Sequence, residues 1–166
     1  MRTSSVPQRR VHKERTWKDN WNDVMRYVLF PDERLRSLLC LPQDVTIAQF
    51  RDKYFTKGHG TTNEILTNEK VRVIWYDSEG RDTGNRRVKN KYKEFDIYVK
   101  QDVLFNATQD RLQYRYDLIA ERLKELLCGS QYVGQMRFEM EDEYDVWTKT
   151  AGYTLYHVSF SYKVTA

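Results

Sequence analysis

Two pairs of alternating apolar and polar segments flank one amphipathic helical segment in the last ninety-odd residues, and that pattern limits what the chain can fold into. Within residues 70–100, Val71, Val73 and Trp75 alternate with Arg72, Ile74 and Tyr76. After an interval containing Gly80 and Gly84, Phe95, Ile97 and Val99 alternate with Glu94, Asp96 and Tyr98. A period of two puts successive side chains on opposite faces of a strand. Residues 135–141 set Met136, Phe138 and Met140 on one side, and residues 153–164 do the same with Tyr156, Val158, Phe160, Tyr162 and Val164. Both read as strands with one buried face.

Between the pairs, Leu112, Tyr116, Ile119, Leu123 and Leu126 recur at steps of four and three. That spacing makes one stripe on a helix, with Arg111, Arg115, Arg122, Lys124 and Glu125 elsewhere around the axis. Asn106 or Thr108 can cap the first turn, Gln109 can complete a capping box with Asn106, and Gly129 can close the last turn in the left-handed conformation. The expected helix covers residues 107–128. Strand, strand, helix, strand, strand with short connections implies an α+β layer: an antiparallel or mixed sheet of about four strands carrying the helix on one face.

The N-terminal third differs in character. Residues 1–15 hold Arg2, Arg9, Arg10, Lys13 and Arg15 against Glu14, among Ser, Pro and Gln. Such a segment cannot bury enough area to fold alone and reads as a flexible basic arm. Trp17, Trp21, Val24, Met25 and Val28 then form a helical stripe stopped at Pro31. Residues 32–41 read as a second helix ended by Pro42, and residues 46–55 as a third, with Thr46 as its cap and Ile47, Phe50 and Tyr54 as its apolar side. The organisation is therefore the arm and one domain over residues 16–166, helical over 16–56 and sheet with helix over 68–166. With 166 residues and 40% hydrophobic content, one core is affordable. No apolar run reaches the ~20 residues that cross a bilayer, and no apolar segment follows the basic N-terminus as in a secretory signal. The expected place of synthesis and use is the cytosol, or a particle built there.

Candidate chemistry is sparse. Cys40 lies in an apolar run and Cys128 at a helix end, so both read as small buried hydrophobes. His12, His59 and His157 have no Cys or carboxylate at metal-ligand spacing, so neither zinc nor any cofactor is indicated. Gly58, His59 and Gly60 lack the Gly-Lys-Ser/Thr ending of a nucleotide loop. Glu94, Asp96 and Lys100 approach a nuclease's acid-x-Lys arrangement, but Asp96 and Lys100 stand four apart where two are needed. With no Ser or Cys beside a plausible base, no catalytic residue is expected and the chain reads as non-enzymatic.

Charge is polarised along the chain. Residues 1–67 carry twelve Lys/Arg against eight Asp/Glu, residues 68–100 nine against six, and residues 101–166 seven against ten. Glu139, Glu141, Asp142, Glu143 and Asp145 concentrate the acid at the expected tip of the last strand pair. A ring of such tips would line a channel that repels DNA phosphates and lets a duplex slide. Arg81, Arg86, Arg87 and Lys89 lie in the expected loop of the first pair and, with Arg9 and Arg10, are candidates for docking a partner.

The segment Tyr92-Lys93-Glu94-Phe95-Asp96-Ile97-Tyr98-Val99, the helix ending Arg122-Leu123-Lys124-Glu125-Leu126-Leu127, and the closing run Gly152 to Tyr162 resemble the small α/β neck proteins of tailed bacteriophages. The likeness is strongest to the tail terminator, or tail-to-head joining, family, over residues 68–166. It implies a homohexameric virion ring that caps the tail tube and docks the tail to the head connector, assembled in the host cytoplasm, with DNA passing through unbound. The alternatives are another head-tail connector, a stopper or adaptor, a minor virion protein, or, in a different class, a basic nucleic-acid-binding module using residues 1–15 and 81–93.

Overall fold

The computed structural model describes residues 17–58, 69–82, 88–108, 111–128, 138–148 and 151–165. The arm with Arg9 and Arg10, the loop from His59, Arg86, Arg87, Gln109, Gly129 and Met136 lie outside them. So do the side chains of Arg81 and Lys89.

Helix α1 (Trp17–Val24) runs on into a π-helical turn, Met25–Leu29. Asp32 opens α2 (Glu33–Leu38) by accepting the Leu35 amide at 2.7 Å. This helix closes on Cys40, which takes the left-handed φ of 54° while its amide and that of Leu41 bond back to Ser37 and Arg36. Thr46 is the cap expected, and with Gln49 it forms a reciprocal capping box on α3 (Ile47–Gln49), shorter than the expected 46–55 because a second π turn, Phe50–Tyr54, delivers the chain into strand β1 (Phe55–Lys57). The other strands are β2 (Val71–Asp82), β3 (Val88–Lys100), β4 (Phe105–Thr108), β5 (Arg111–Tyr114), β6 (Glu139–Val146) and β7 (Tyr153–Thr165).

The α+β reading holds, with a mixed sheet. It has five strands in the order β1-β2-β3-β7-β6, antiparallel except for the parallel β1–β2 pair. Three residues are too few for alternation to reveal, which is why β1 has no counterpart in the sequence pattern. The strand expected at 135–141 begins at Glu139 and continues to Val146, so the acidic run is not a hairpin tip; it is the body of an edge strand. Likewise β2 and β3 extend far into the expected loop, pairing Asp82 with Lys89, which makes Arg81 and Lys89 strand positions.

The long helix α4 (Arg115–Cys128) starts eight residues later than the expected 107. Phe105 to Thr108 and Arg111 to Tyr114 pair instead as a two-stranded ribbon, so Asn106 and Thr108 are ribbon residues and cap no helix, and Leu112 leaves the stripe. Helix α4 buries a wider arc than the stripe implied: Tyr116, Leu118, Ile119, Ala120, Leu123 and Leu127. That arc and the N-terminal helices cover one face of the sheet through Val71, Val73, Phe95, Ile97, Val158 and Phe160, all essentially inaccessible. A smaller cluster of Ile74, Tyr98 and Leu155 occupies the opposite face. Cys40 is half-buried and Cys128 exposed, against the expectation of burial, and both thiols are free.

Candidate functional site

The polar character of the second face comes from alternation. Positions facing away from the core are Tyr76 and Ser78 on β2, Glu94 and Asp96 on β3, and His157 and Ser159 on β7, brought side by side by the pairings Tyr76 with Glu94 and Asp96 with His157. His157 sits between the two carboxylates, Nδ1 2.6 Å from Asp96 and Nε2 2.8 Å from Glu94. Glu94 also accepts the Ser78 hydroxyl at 2.9 Å. The Tyr76 and Tyr144 rings flank the imidazole, with centroids 6.5 and 5.1 Å away.

Burial alone would lower the histidine pKa, but the hydrogen bonds and charges of Asp96 and Glu94 outweigh it and raise the value to about 9. Burial likewise pushes Glu94 up, and its bonds from His157, Ser78 and Ser159 win, leaving it below the usual carboxylate range. At neutral pH the ring is therefore an imidazolium donating both N–H groups. In that state it has no lone pair for a metal or for proton abstraction. Sequence spacing could not reveal this triad, because His157 lies 61 residues from Asp96 and 63 from Glu94 along the chain. The legible part is that Glu94, Asp96 and His157 all alternate against apolar neighbours.

A cleft of about 410 Å³ opens beside the triad, walled by Ser78, Tyr92, Glu94, Tyr144, His157 and Ser159 and, from the sheet edge, Glu141 and Asp142. No group of three metal-binding side chains occurs among the described residues.

On the core face, Lys93 is 1% exposed. Its ammonium pairs with Asp77 and lies 4.3 Å from the Trp21 ring centroid and 4.7 Å from that of Trp75, inside an aromatic box that Tyr162 completes. Burial holds its pKa below the ordinary lysine value, against the pull of Asp77.

The two edges of the sheet have opposite charge. On β1 and the turn before it stand Arg51, Lys53 and Lys57 against Asp52. On β6, Glu139, Glu141, Asp142, Glu143 and Asp145 are all exposed, and among the described residues none is paired with a cation. Glu141 accepts from Ser161; Glu143 and Asp145 turn to the helix side, where they accept from Tyr156 and Tyr116. These two carboxylates also crowd Asp117, whose pKa is raised by burial and then by them. Exposed aromatics adjoin the strand: Tyr144 within it and Trp147, 80% exposed, just after it. A second exposed set, Phe105 and Tyr114 on the ribbon, stacks onward through Tyr116 to Tyr156 at centroid distances of 5.1, 5.2 and 4.7 Å. Tyr114 thus lies at the surface.

The YomW family model matches residues 32–162, which spans α2 through β7 and takes in the triad and both edges. The chain belongs to the YomW family. No curated protein matches it. The matched span holds the acidic edge strand and the basic turn leading to β1, so both charged edges lie within the YomW-family region. No helix among the described residues is long and apolar enough to cross a membrane.

Proposed function

We propose that this chain is a virion structural protein of a tailed phage: a ring-forming tail terminator that caps the tail tube and docks the tail to the head connector. One observation carries the reading, the opposite charge of the two strands that edge the sheet among the described residues. An edge strand presents unsatisfied amides and carbonyls that another strand can pair, and neither β1 nor β6 contains Pro. Because the basic edge and the acidic edge are different surfaces, their contact is head-to-tail, the type of contact that repeats around a closed ring. The YomW family is phage-derived, which supports the setting. The resemblance of residues 68–166 to neck proteins supports the place within the particle and a copy number of six.

In this reading the protein works by assembly and not by catalysis. Its partners are its own copies, the tail tube protein and the head connector, and DNA passes through the ring without specific binding. Electron microscopy of phage particles carrying a labelled form of the chain tests it. Label at the head–tail junction, in a ring, is the expected result; label elsewhere or absent from particles overturns the reading.

A further inference from the structure

Two buried donors that have no acceptor among the described residues, Arg51 Nε and Trp75 Nε1, belong to residues that line one cleft. The cleft measures about 330 Å³, within the roughly 300–1,000 Å³ of small-molecule sites, and shares no residue with the one beside His157. We propose that it binds a free monocarboxylate carried on an apolar body.

The folding of this corner brings the parts together. Period two puts Phe55 and Lys57 on one face of β1, and the pairing of Phe55 with Val73 and of Lys57 with Trp75 sets that face beside the core side of β2. Met25 from the first π turn and Phe55, both buried, make an apolar floor with the Trp75 ring. The second π turn adds Arg51 and Asp52. The Lys57 ammonium lies 5.7 Å from the Trp75 ring centroid. Among the described residues neither Arg51 nor Lys57 pairs with a carboxylate, although Asp52 lines the same cleft.

Buried N–H groups are nearly always satisfied, and one left without an acceptor forfeits its hydration, so these two donors mark where an acceptor belongs. Its chemistry follows from the charge around it. A carboxylate is acceptor-only and can serve both donors at once. Arg51 and Lys57 against Asp52 leave one net positive charge on the rim, which balances a monoanion and would leave a phosphate dianion in excess. The apolar floor favours hydrocarbon behind the carboxylate, because burying it is itself favourable. None of this depends on the ring reading.

The test is a titration of the full chain with sodium hexanoate, followed by the indole N–H signals in nitrogen-resolved NMR spectra, the Trp75 signal being assigned by its loss in a Trp75→Phe variant. Acetate, which lacks the apolar body, and inorganic phosphate are run beside it. Binding predicts a saturable downfield shift of the Trp75 signal, with hexanoate at least about tenfold tighter than acetate, since each buried methylene contributes. Phosphate should bind more weakly than hexanoate. Arg51→Met keeps the apolar stem and should weaken hexanoate about tenfold or more, as loss of one charged hydrogen bond does. Asp52→Asn should tighten hexanoate and improve phosphate more, because the rim loses its one negative charge. No shift with any of the three anions overturns the proposal and leaves water as the acceptor. A response to phosphate equal to that to hexanoate overturns it, and so does hexanoate binding unchanged in Arg51→Met. A Trp75 shift that grows with protein concentration in the absence of added anion, and disappears in Glu141→Lys/Asp142→Lys, overturns the free ligand in favour of a second copy's β6. Ring formation is read separately, by imaging, so the two proposals fail independently.

Discussion

His157 is poised to make stability depend on pH. Its folded pKa of about 9 exceeds the unfolded 6.5, so its contribution is fully present below pH 6.5 and lost as pH rises through 9. A shift of that size is worth on the order of 3 kcal/mol. We expect the melting temperature to fall between pH 6.5 and 9 in the native chain and to change far less in a His157→Gln variant. Parallel curves for the two would contradict the triad's charge state. The same charge state denies the site a neutral imidazole, so with Mg, Mn or Zn the protein should hydrolyse neither DNA, nucleotides nor peptides. A nuclease signal abolished by Glu94→Ala would refute that. Lys93 gives a third test. Replacing it by Met strands Asp77, while Lys93→Met with Asp77→Asn removes both charges. The single change should cost about 3 kcal/mol in denaturant unfolding and the double change clearly less. Neither residue's role was legible in the sequence: alternation puts Lys93 on the core face of β3, but the pairing with Asp77 and the rings of Trp21, Trp75 and Tyr162 around the ammonium explain how a lysine is tolerated there.

At the level of elements, local chemistry predicted well where it was self-contained. Thr46 caps α3 as expected, through the Gln49 amide three residues on, and needed no tertiary partner. The start of α4 was misplaced for the opposite reason. Leu112 sits at a helical step from Tyr116, yet Phe105 stacks on Tyr114 across the ribbon, and the Arg115 amide bonds to Leu104 carbonyl at 2.7 Å to begin the helix there. Aromatic pairing across strands outweighed a cap that propensity alone favoured. Arg122 helps fasten α4 to the N-terminal helices, beside the Arg115 guanidinium that donates to the Leu38 carbonyl: its own guanidinium donates to both oxygens of Asp32, at 3.1 and 2.5 Å, while Asp32 also caps α2. Arg122 is partly exposed, which reduces the worth of the pair through solvent screening. We expect Arg122→Ala to cost about 1 kcal/mol and Asp32→Ala about 2, because only the latter also loses the cap. Equal losses in chemical denaturation would show that the cap contributes nothing.

For the whole molecule, the sheet-and-helix layer was readable from periodicity, because two-residue and four-three spacing report which faces are buried. Strand order was not. The sequence placed the acidic residues at a tip, whereas pairing with β7 turns them into an edge opposite the basic end of the sheet. That change of place moves the argument for assembly from a lined channel to a pair of complementary edges. The direct measurement is the solution mass of two edge-reversed variants at high concentration, Lys53→Glu/Lys57→Glu and Glu141→Lys/Asp142→Lys, alone and mixed. Head-to-tail pairing predicts oligomers for the native chain, monomers for each variant alone, and oligomers restored in the mixture, where the unchanged edges meet as in the native chain and the two reversed edges again carry opposite charge. Native-like oligomers in either variant alone, or a mixture that stays monomeric, would contradict assembly through these edges.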